Sequence, residues 1–479
     1  MLTISLILLP LLASLVLFSW KNGKGSQQFA LLVSIAELVL GIIAFARFDK
    51  AIALNYVFNM PWIKTMGVNL YFGMDGLSLL LVMLTVILVV FILLTTFNKA
   101  ISYSSSFFAL ILLMESALIG VFTCFDGLLF YIFWEMALIP IYFICGLWGG
   151  ENRIKITLKF FIYTMVGSLF MLAALIYLYI KTPMPHQFGL GFILNAPLSP
   201  TEQTFVFLGF FLGFAIKIPI FPFHSWQPDT YTVAPAQGSM LLAGIMLKMG
   251  IYGLIRFLMP TCSDVMPDMA PIAITLALIG LLFGSVIAIK QQEIKRLIAY
   301  SSFAHVGLMA AAIFTFQKDA LQGTIYQMLS HGFNIVALFF VADIIQRRAK
   351  TTQISELGGI AKIAPRFAIF FMVVMLGSVA LPLTNGFVGE FFMLVGLSKY
   401  NFIVSGIAGI SIILGAVYMF WLYQRTMYGE AKTATATFAD LNTTEMLVAV
   451  PLVIIIIAMG VYPKPIFEII KPVVDSIIM

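Results

Sequence analysis

Apolar stretches long enough to cross a bilayer recur about fourteen times along the chain on a window of about 20 residues, with centres near Leu11, Val39, Thr85, Gly120, Ala137, Phe170, Phe211, Met246, Leu278, Gly307, Val336, Met375, Ile412 and Ile454. No polar stretch between them is long enough for a second domain. In lipid a backbone must satisfy its own polar groups, so such a chain is restricted to helices or a closed barrel, and runs of this length select helices. The expectation is an all-α polytopic membrane protein, residues 1–479 forming one transmembrane domain. The chain is 61% hydrophobic and 10% charged, which leaves no surface for a water-soluble globule of 479 residues.

The segment "MLTISLILLPLLASLVLFSW" has its positive charges, Lys21 and Lys24, after the apolar run, so it reads as a retained first helix with its N-terminus outside rather than a cleaved leader. Alternate loops hold the basic residues: "KNGKGSQQ", "ENRIKITLK", "KQQEIKR", "QRRAKTTQISELGGIAKIAPR" and "QRTMYGEAK" against "CFDG" and "TCSDVMPDMAP", which have none. Assigning alternate sides puts roughly 16 basic residues inside and about 9 outside, with both termini outside. The net charge of +6 is explained by this placement and needs no nucleic-acid partner. Cys124, Cys145 and Cys262 are scattered, with no C-x-x-C pair and no spacing suited to zinc or an iron–sulfur cluster. Among His186, His224, His305 and His331, hydrogen-bond partners are the commoner use and haem ligands the rarer one. No cofactor or metal is therefore expected in this chain.

Two segments are interrupted alike. "FAIKIPIFPFHSWQPD" breaks at Pro219 and Pro222, and "SVALPLTNGFVGEFF" breaks at Pro382. The breaks lie about five spans apart, and an odd number of crossings inverts the second copy, as in transporter folds with inverted repeats. Two five-helix repeats are expected, residues 107–260 and 269–428, each with a broken helix. Two unrelated proline kinks are the alternative.

Ionisable residues inside these apolar runs are costly, at about 2.5 kcal/mol or more at the bilayer centre, and so point to function. Glu135 lies in "LLFYIFWEMALIPIYFICGLW"; Lys217 precedes the first break and Glu390 follows the second; Lys248 lies in "LLAGIMLKMGIYG" with no break in view and needs a carboxylate, a histidine or water as partner. His305 and His331 titrate near neutrality without help and suit relay positions, although each also suits a plain hydrogen-bond bridge. Glu37 and Asp343 read as helix-end or contact residues, and Glu115 divides evenly between a structural and a transport role. Acids, amines and imidazoles mixed at one depth fit proton transfer, with a movable Glu135–Lys217 pair coupling two proton occupancies.

These residues also carry a family resemblance. "FYIFWEMALIPIYFICGLWGG", "KIPIFPFHSWQPDTYTVAPAQGSMLLAGIMLKMGIYGLIRF", "IKRLIAYSSFAHVG", "GTIYQMLSHGF" and "LPLTNGFVGEF" together resemble the antiporter-like membrane subunits of respiratory complex I, NADH-quinone oxidoreductase, from about Asp75 onward. The first seventy and last forty residues are generic. Within the family, "FWEMALIP" and an acid at Glu390, where the related L and N subunits are expected to carry lysine, single out one subunit type. The resemblance implies that Glu135, Lys217, Lys248, His305, His331 and Glu390 carry protons. It also implies neighbouring L and N subunits, with flavin, iron–sulfur clusters and quinone in partner subunits, and a bacterial plasma membrane location. An Mrp-type sodium/proton antiporter or a membrane-bound hydrogenase-type pumping subunit is the alternative.

Overall fold

The computed structural model describes every residue except Asn22, Asn98 and Met479. In chain order its main elements are α1 (Leu2–Phe18), α2 (Ser26–Ala46), β1 (Asn55–Ile63), β2 (Val68–Met74), α3 (Gly76–Leu94), α4 (Ser104–Thr123), α5 (Gly127–Trp148), α6 (Arg153–Lys181), α7 (Pro200–Lys217), α8 (Gln227–Val233), α9 (Ala236–Thr261), α10 (Met266–Lys290), α11 (Ile294–Ile313), α12 (Lys318–Ala349), α13 (Pro365–Ser378), α14 (Asn385–Tyr400), α15 (Phe402–Met427), α16 (Thr443–Val461) and α17 (Lys464–Ile477). Among the described residues eleven helices are long and apolar enough to cross a membrane. The shorter α1 and the two interrupted pairs, α7 with α8 and α13 with α14, make the layout compatible with about fourteen crossings.

Short polar residues set where these helices start. The Asp75 carboxylate accepts from Ser78 N to open α3, Asp126 accepts from Leu128 N and Leu129 N to open α5, and Ser199 with Glu202 forms a capping box on α7. In a bilayer an apolar face can look outward to lipid, as α15 does through Ile410 and Ile413 and α16 through Val450 and Ile454. The most hydrophobic stretch of α12 is fully buried and that of α9 94% buried, against 28% for α15 and α16, so α12 and α9 form the centre of the bundle.

Two features lie outside the expected set of spans. A β-hairpin joins α2 to α3, with β1 and β2 antiparallel and Phe58 opposite Phe72, and its turn passes through Gly67 at φ +61°. A Cβ at Gly67 would stand 2.3 Å from the His186 carbonyl oxygen, so the turn needs glycine for space as well as for φ. The all-α reading missed it because seven to nine residues between long apolar runs leave too short a period-two signal. Secondly, the chain ends in α17, which lies beside α3 and α12. Phe467 stacks on Tyr326 with ring centres 5.2 Å apart, and Lys50–Glu468 (2.6 Å) and Lys318–Asp475 (2.9 Å) pin the helix from outside.

Candidate functional site

α7 stops at Lys217, where Pro219 and Pro222 cannot donate to the ladder. Freed carbonyls are taken up locally: Trp226 Nε1 donates to Ile216 O (2.9 Å) and Ile220 N to Ala215 O (2.7 Å). The Lys217 ammonium, 2% exposed, sits 5.3 Å from the centre of the Trp134 ring, a cation–π contact that partly replaces its hydration. Trp134 is the neighbour of Glu135 on α5. Among the described residues no ion pair within 4 Å joins Glu135 to Lys217, and Glu135 Oε1 has no hydrogen-bond partner. The two groups lie near one another without touching.

The second break, between α13 and α14, is built with the left-handed residues Ala380 (φ 55°) and Leu383 (φ 73°) around Pro382. Such conformations cost an L-residue about 1–2 kcal/mol each and persist where packing enforces them. The Gly377 carbonyl freed at the end of α13 accepts from Asn334 Nδ2 (3.0 Å), and the Asn385 carbonyl from Ser330 Oγ (3.0 Å), both on α12. Glu390, on the second turn of α14, is 3% exposed. Its Oε1 meets His305 Nδ1 at 2.9 Å and accepts from Gln327 Nε2 at 3.3 Å.

Lys248 does have a break beside it, which corrects the sequence expectation. α9 contains two π-helical turns, Leu242–Met246 and Leu254–Leu258, on either side of Lys248–Gly253. A π turn loosens the regular ladder, and the Ala243 carbonyl accepts from Lys248 Nζ at 2.7 Å. The same ammonium donates to His331 Nδ1 at 2.8 Å. With Nδ1 accepting, the imidazole carries its proton on Nε2, which donates to Ser302 Oγ at 3.0 Å. The approach of α9 to α12 depends on two glycines. A Cβ at Gly332 would lie 3.1 Å from Gly244 O, and one at Gly244 would lie 2.6 Å from a Val336 methyl.

The structure therefore brings Lys248, His331 and Ser302 into one hydrogen-bonded set and His305, Glu390 and Gln327 into another. The imidazole centres of His305 and His331 are 6.1 Å apart, and between them lies a cavity of about 10 Å³ lined by Ser301, Gln327, Asn334 and Ser378. That is about the room of one water, with polar groups to hold it, including the unpartnered Gln327 Oε1 and Asn334 Oδ1. Lys217 and Glu135 stand apart from both sets. Ser302, Gln327 and Asn334 were not anticipated. Their signal was spacing: Gln327, His331 and Asn334 fall at i, i+4 and i+7 on one face of α12.

Asp343 belongs elsewhere, as expected of a helix-end residue. It pairs with Lys99 (2.8 Å) and with Arg347 (3.0 Å), and Arg347 and Arg348 in turn reach Glu445 (2.8 and 2.5 Å), an ionic network at the last turns of α12. Among the described residues no three His, Cys, Asp or Glu side chains are grouped as a metal site would need.

A bundle of crossing helices with two interrupted pairs and a buried row of amines, imidazoles and carboxyls defines an antiporter-like membrane subunit. Residues 124–415 match the family described as "NADH:quinone oxidoreductase/Mrp antiporter, TM". The chain is 40% identical to NADH-quinone oxidoreductase subunit M of Rickettsia conorii over 99% of its length and 98% of that protein's. Its fold superposes on a chain of respiratory complex I from Thermus thermophilus at TM-score 0.93 and 30% identity, covering 100% of this chain and 99% of that one. A chain of the Mrp complex from Dietzia shares the fold at TM-score 0.85 and 20% identity, covering 51% of that chain. This chain belongs to the NADH:quinone oxidoreductase/Mrp antiporter membrane family, and within it to the subunit M group of NADH-quinone oxidoreductase, respiratory complex I.

Proposed function

We propose that this subunit carries protons across a bacterial plasma membrane along the row Glu135, Lys217, Lys248, His331, His305 and Glu390, driven by electron transfer in other subunits of the complex. The observation that carries the reading is the Lys248–His331–Ser302 set, three hydrogen-bonded groups at the centre of the bundle with Lys248 fully buried, matched 6.1 Å away by His305–Glu390. An ammonium, an imidazole and a hydroxyl in series can pass a proton by rotating between donor and acceptor roles. The broken helices support water-exposed approaches to that row from opposite sides, in keeping with two inverted five-helix repeats over residues 107–260 and 269–428.

The flavin, the iron–sulfur clusters and the quinone site belong to partner subunits in this reading, and the related L and N subunits are its neighbours in the membrane. An Mrp-type sodium/proton antiporter is the second reading. Full-length identity to subunit M at 40% supports the first.

Glu135 is the coupling acid: Lys217 leaves the Trp134 ring toward it or withdraws, and in a low-dielectric interior that movement changes its proton affinity far more than an exposed pair worth under about 1 kcal/mol could. Glu135→Gln keeps the side-chain volume and removes the titratable group. The complex should assemble while proton pumping and coupled quinone reduction in vesicles fall by more than about tenfold, and Glu135→Asp should keep part of both. Wild-type pumping by an assembled Gln variant would remove Glu135 from the route.

A further inference from the structure

A second group of buried acids lies away from this row. Glu37 on α2 and Glu115 on α4 are both 0% exposed, and Glu37 Oε1, Glu37 Oε2 and Glu115 Oε1 have no hydrogen-bond partner. Ser34 Oγ donates to Glu115 Oε2 at 3.3 Å, and Ser34 lies three residues before Glu37 on the same helix face, so the two carboxyls share the α2–α4 seam. Among the described residues no counter-charge is paired with either. α1 and α3, which also pack on α2, contain no titratable residue, and α4 contains only Glu115. Lys248 on α9, which also packs on α4, is committed to Ala243 O and His331, while Glu135 and Tyr131 lie on the neighbouring α5.

Two ionised carboxylates facing each other without a cation in a low-dielectric seam repel strongly, and pairs of this kind resolve the conflict by keeping a proton. A metal cation would need about six oxygen ligands. The seam offers two carboxyls and one hydroxyl, and unlike α9 neither α2 nor α4 has an interrupted ladder to free carbonyls. A proton needs only the two carboxyls.

We infer that Glu37 and Glu115 form a proton-holding dyad, a second proton site in the chain separate from the Lys248–His331 row. One carboxyl donates to the other, which partners two of the three oxygens otherwise left without one. The dyad's α4 packs on α2 and also on α5, the helix that carries Glu135.

Infrared difference spectra of the whole complex in lipid vesicles at neutral pH test this, taken as wild type minus E37Q and wild type minus E115Q. Each should show a carboxylic-acid carbonyl band, sensitive to D₂O, that is lost or shifted in either variant and unchanged by added sodium or potassium. The band belongs to the pair, so either substitution alone reads it if the other prevents assembly. Absence of an acid carbonyl band would overturn the proposal, and a band abolished by sodium or potassium would mark a cation site instead.

Discussion

Lys248 Nζ lies 2.8 Å from His331 Nδ1, between two helices that touch through Gly244 and Gly332. The ammonium is held in position by backbone packing as much as by its partners, and two consequences follow for substitutions at this contact.

Lys248→Met keeps a long flexible side chain and removes the charge, leaving His331 Nδ1 and the Ala243 carbonyl buried without a donor. Each unmet group costs about 1–3 kcal/mol. The expected outcome is an assembled but less heat-stable complex whose proton pumping is lost, read by thermal inactivation beside vesicle acidification.

Gly332→Leu should act through distance instead. The new side chain would meet Leu84, which already stands 2.9 Å from a Cβ at this position, and the Gly244 carbonyl. Overpacking of this kind costs about 1–3 kcal/mol. Forcing α12 from α9 lengthens the Lys248–His331 contact, so pumping should fall although every titratable residue is intact. Gly332→Ala should be milder in both assembly and pumping, since a single methyl asks the Leu84 tip to move by a few tenths of an ångström.

Pro219→Ala and Pro382→Ala restore a backbone donor at each interruption. Local closure of the helix beside Lys217 or Glu390 should lower pumping more than assembly, measured by proton uptake against blotted subunit content. Normal pumping by both variants would reduce the breaks to incidental kinks.

The terminal helix α17 should respond to acid. Lys50 holds the Glu468 carboxyl below the usual carboxylate range, chiefly through their hydrogen bond. A folded-state value lower than the unfolded one gives a contribution that is fully present above about pH 4.3 and is lost as pH falls further. The pair is exposed and Lys318–Asp475 and the Phe467–Tyr326 stack still hold the helix, so limited proteolysis should cut α17 modestly faster below about pH 4 than at pH 7, and Glu468→Gln should remove most of that difference.

Much of the architecture was legible because charge is expensive in lipid. Lys217, Lys248 and Glu390 stood out from their apolar runs, and the structure places all three in buried positions beside polar partners or an aromatic face. The prolines marked both interruptions because they remove a donor. The π turns left no such mark: apart from Ser239, Lys248, Tyr252 and Arg256, "GSMLLAGIMLKMGIYGLIRF" is apolar, and so few polar positions do not show where the helical phase slips. Ser302, Gln327 and Asn334 were passed over because an uncharged polar residue in a membrane helix costs too little to draw notice alone. The contact of Lys217 with a ring face was likewise beyond the sequence, since it depends on where the Trp134 ring comes to lie.

The pair of π turns gives Lys248 an unusual independence. Each residue of an α-helix advances the side-chain direction by about 100°, and a π turn resets that count. Lys248–Gly253, between two such resets, is phased separately from both ends of its own helix. A π turn takes in one residue more than an α turn, so deleting one residue from Leu242–Met246 would close it to a regular turn, with Lys248 still facing His331 and Ala236–Leu241 packed as before, and would return to the ladder the carbonyl that now serves the ammonium. The one residue held in excess in that turn thus serves the central charge through the carbonyl it frees, at no change in where the side chain points.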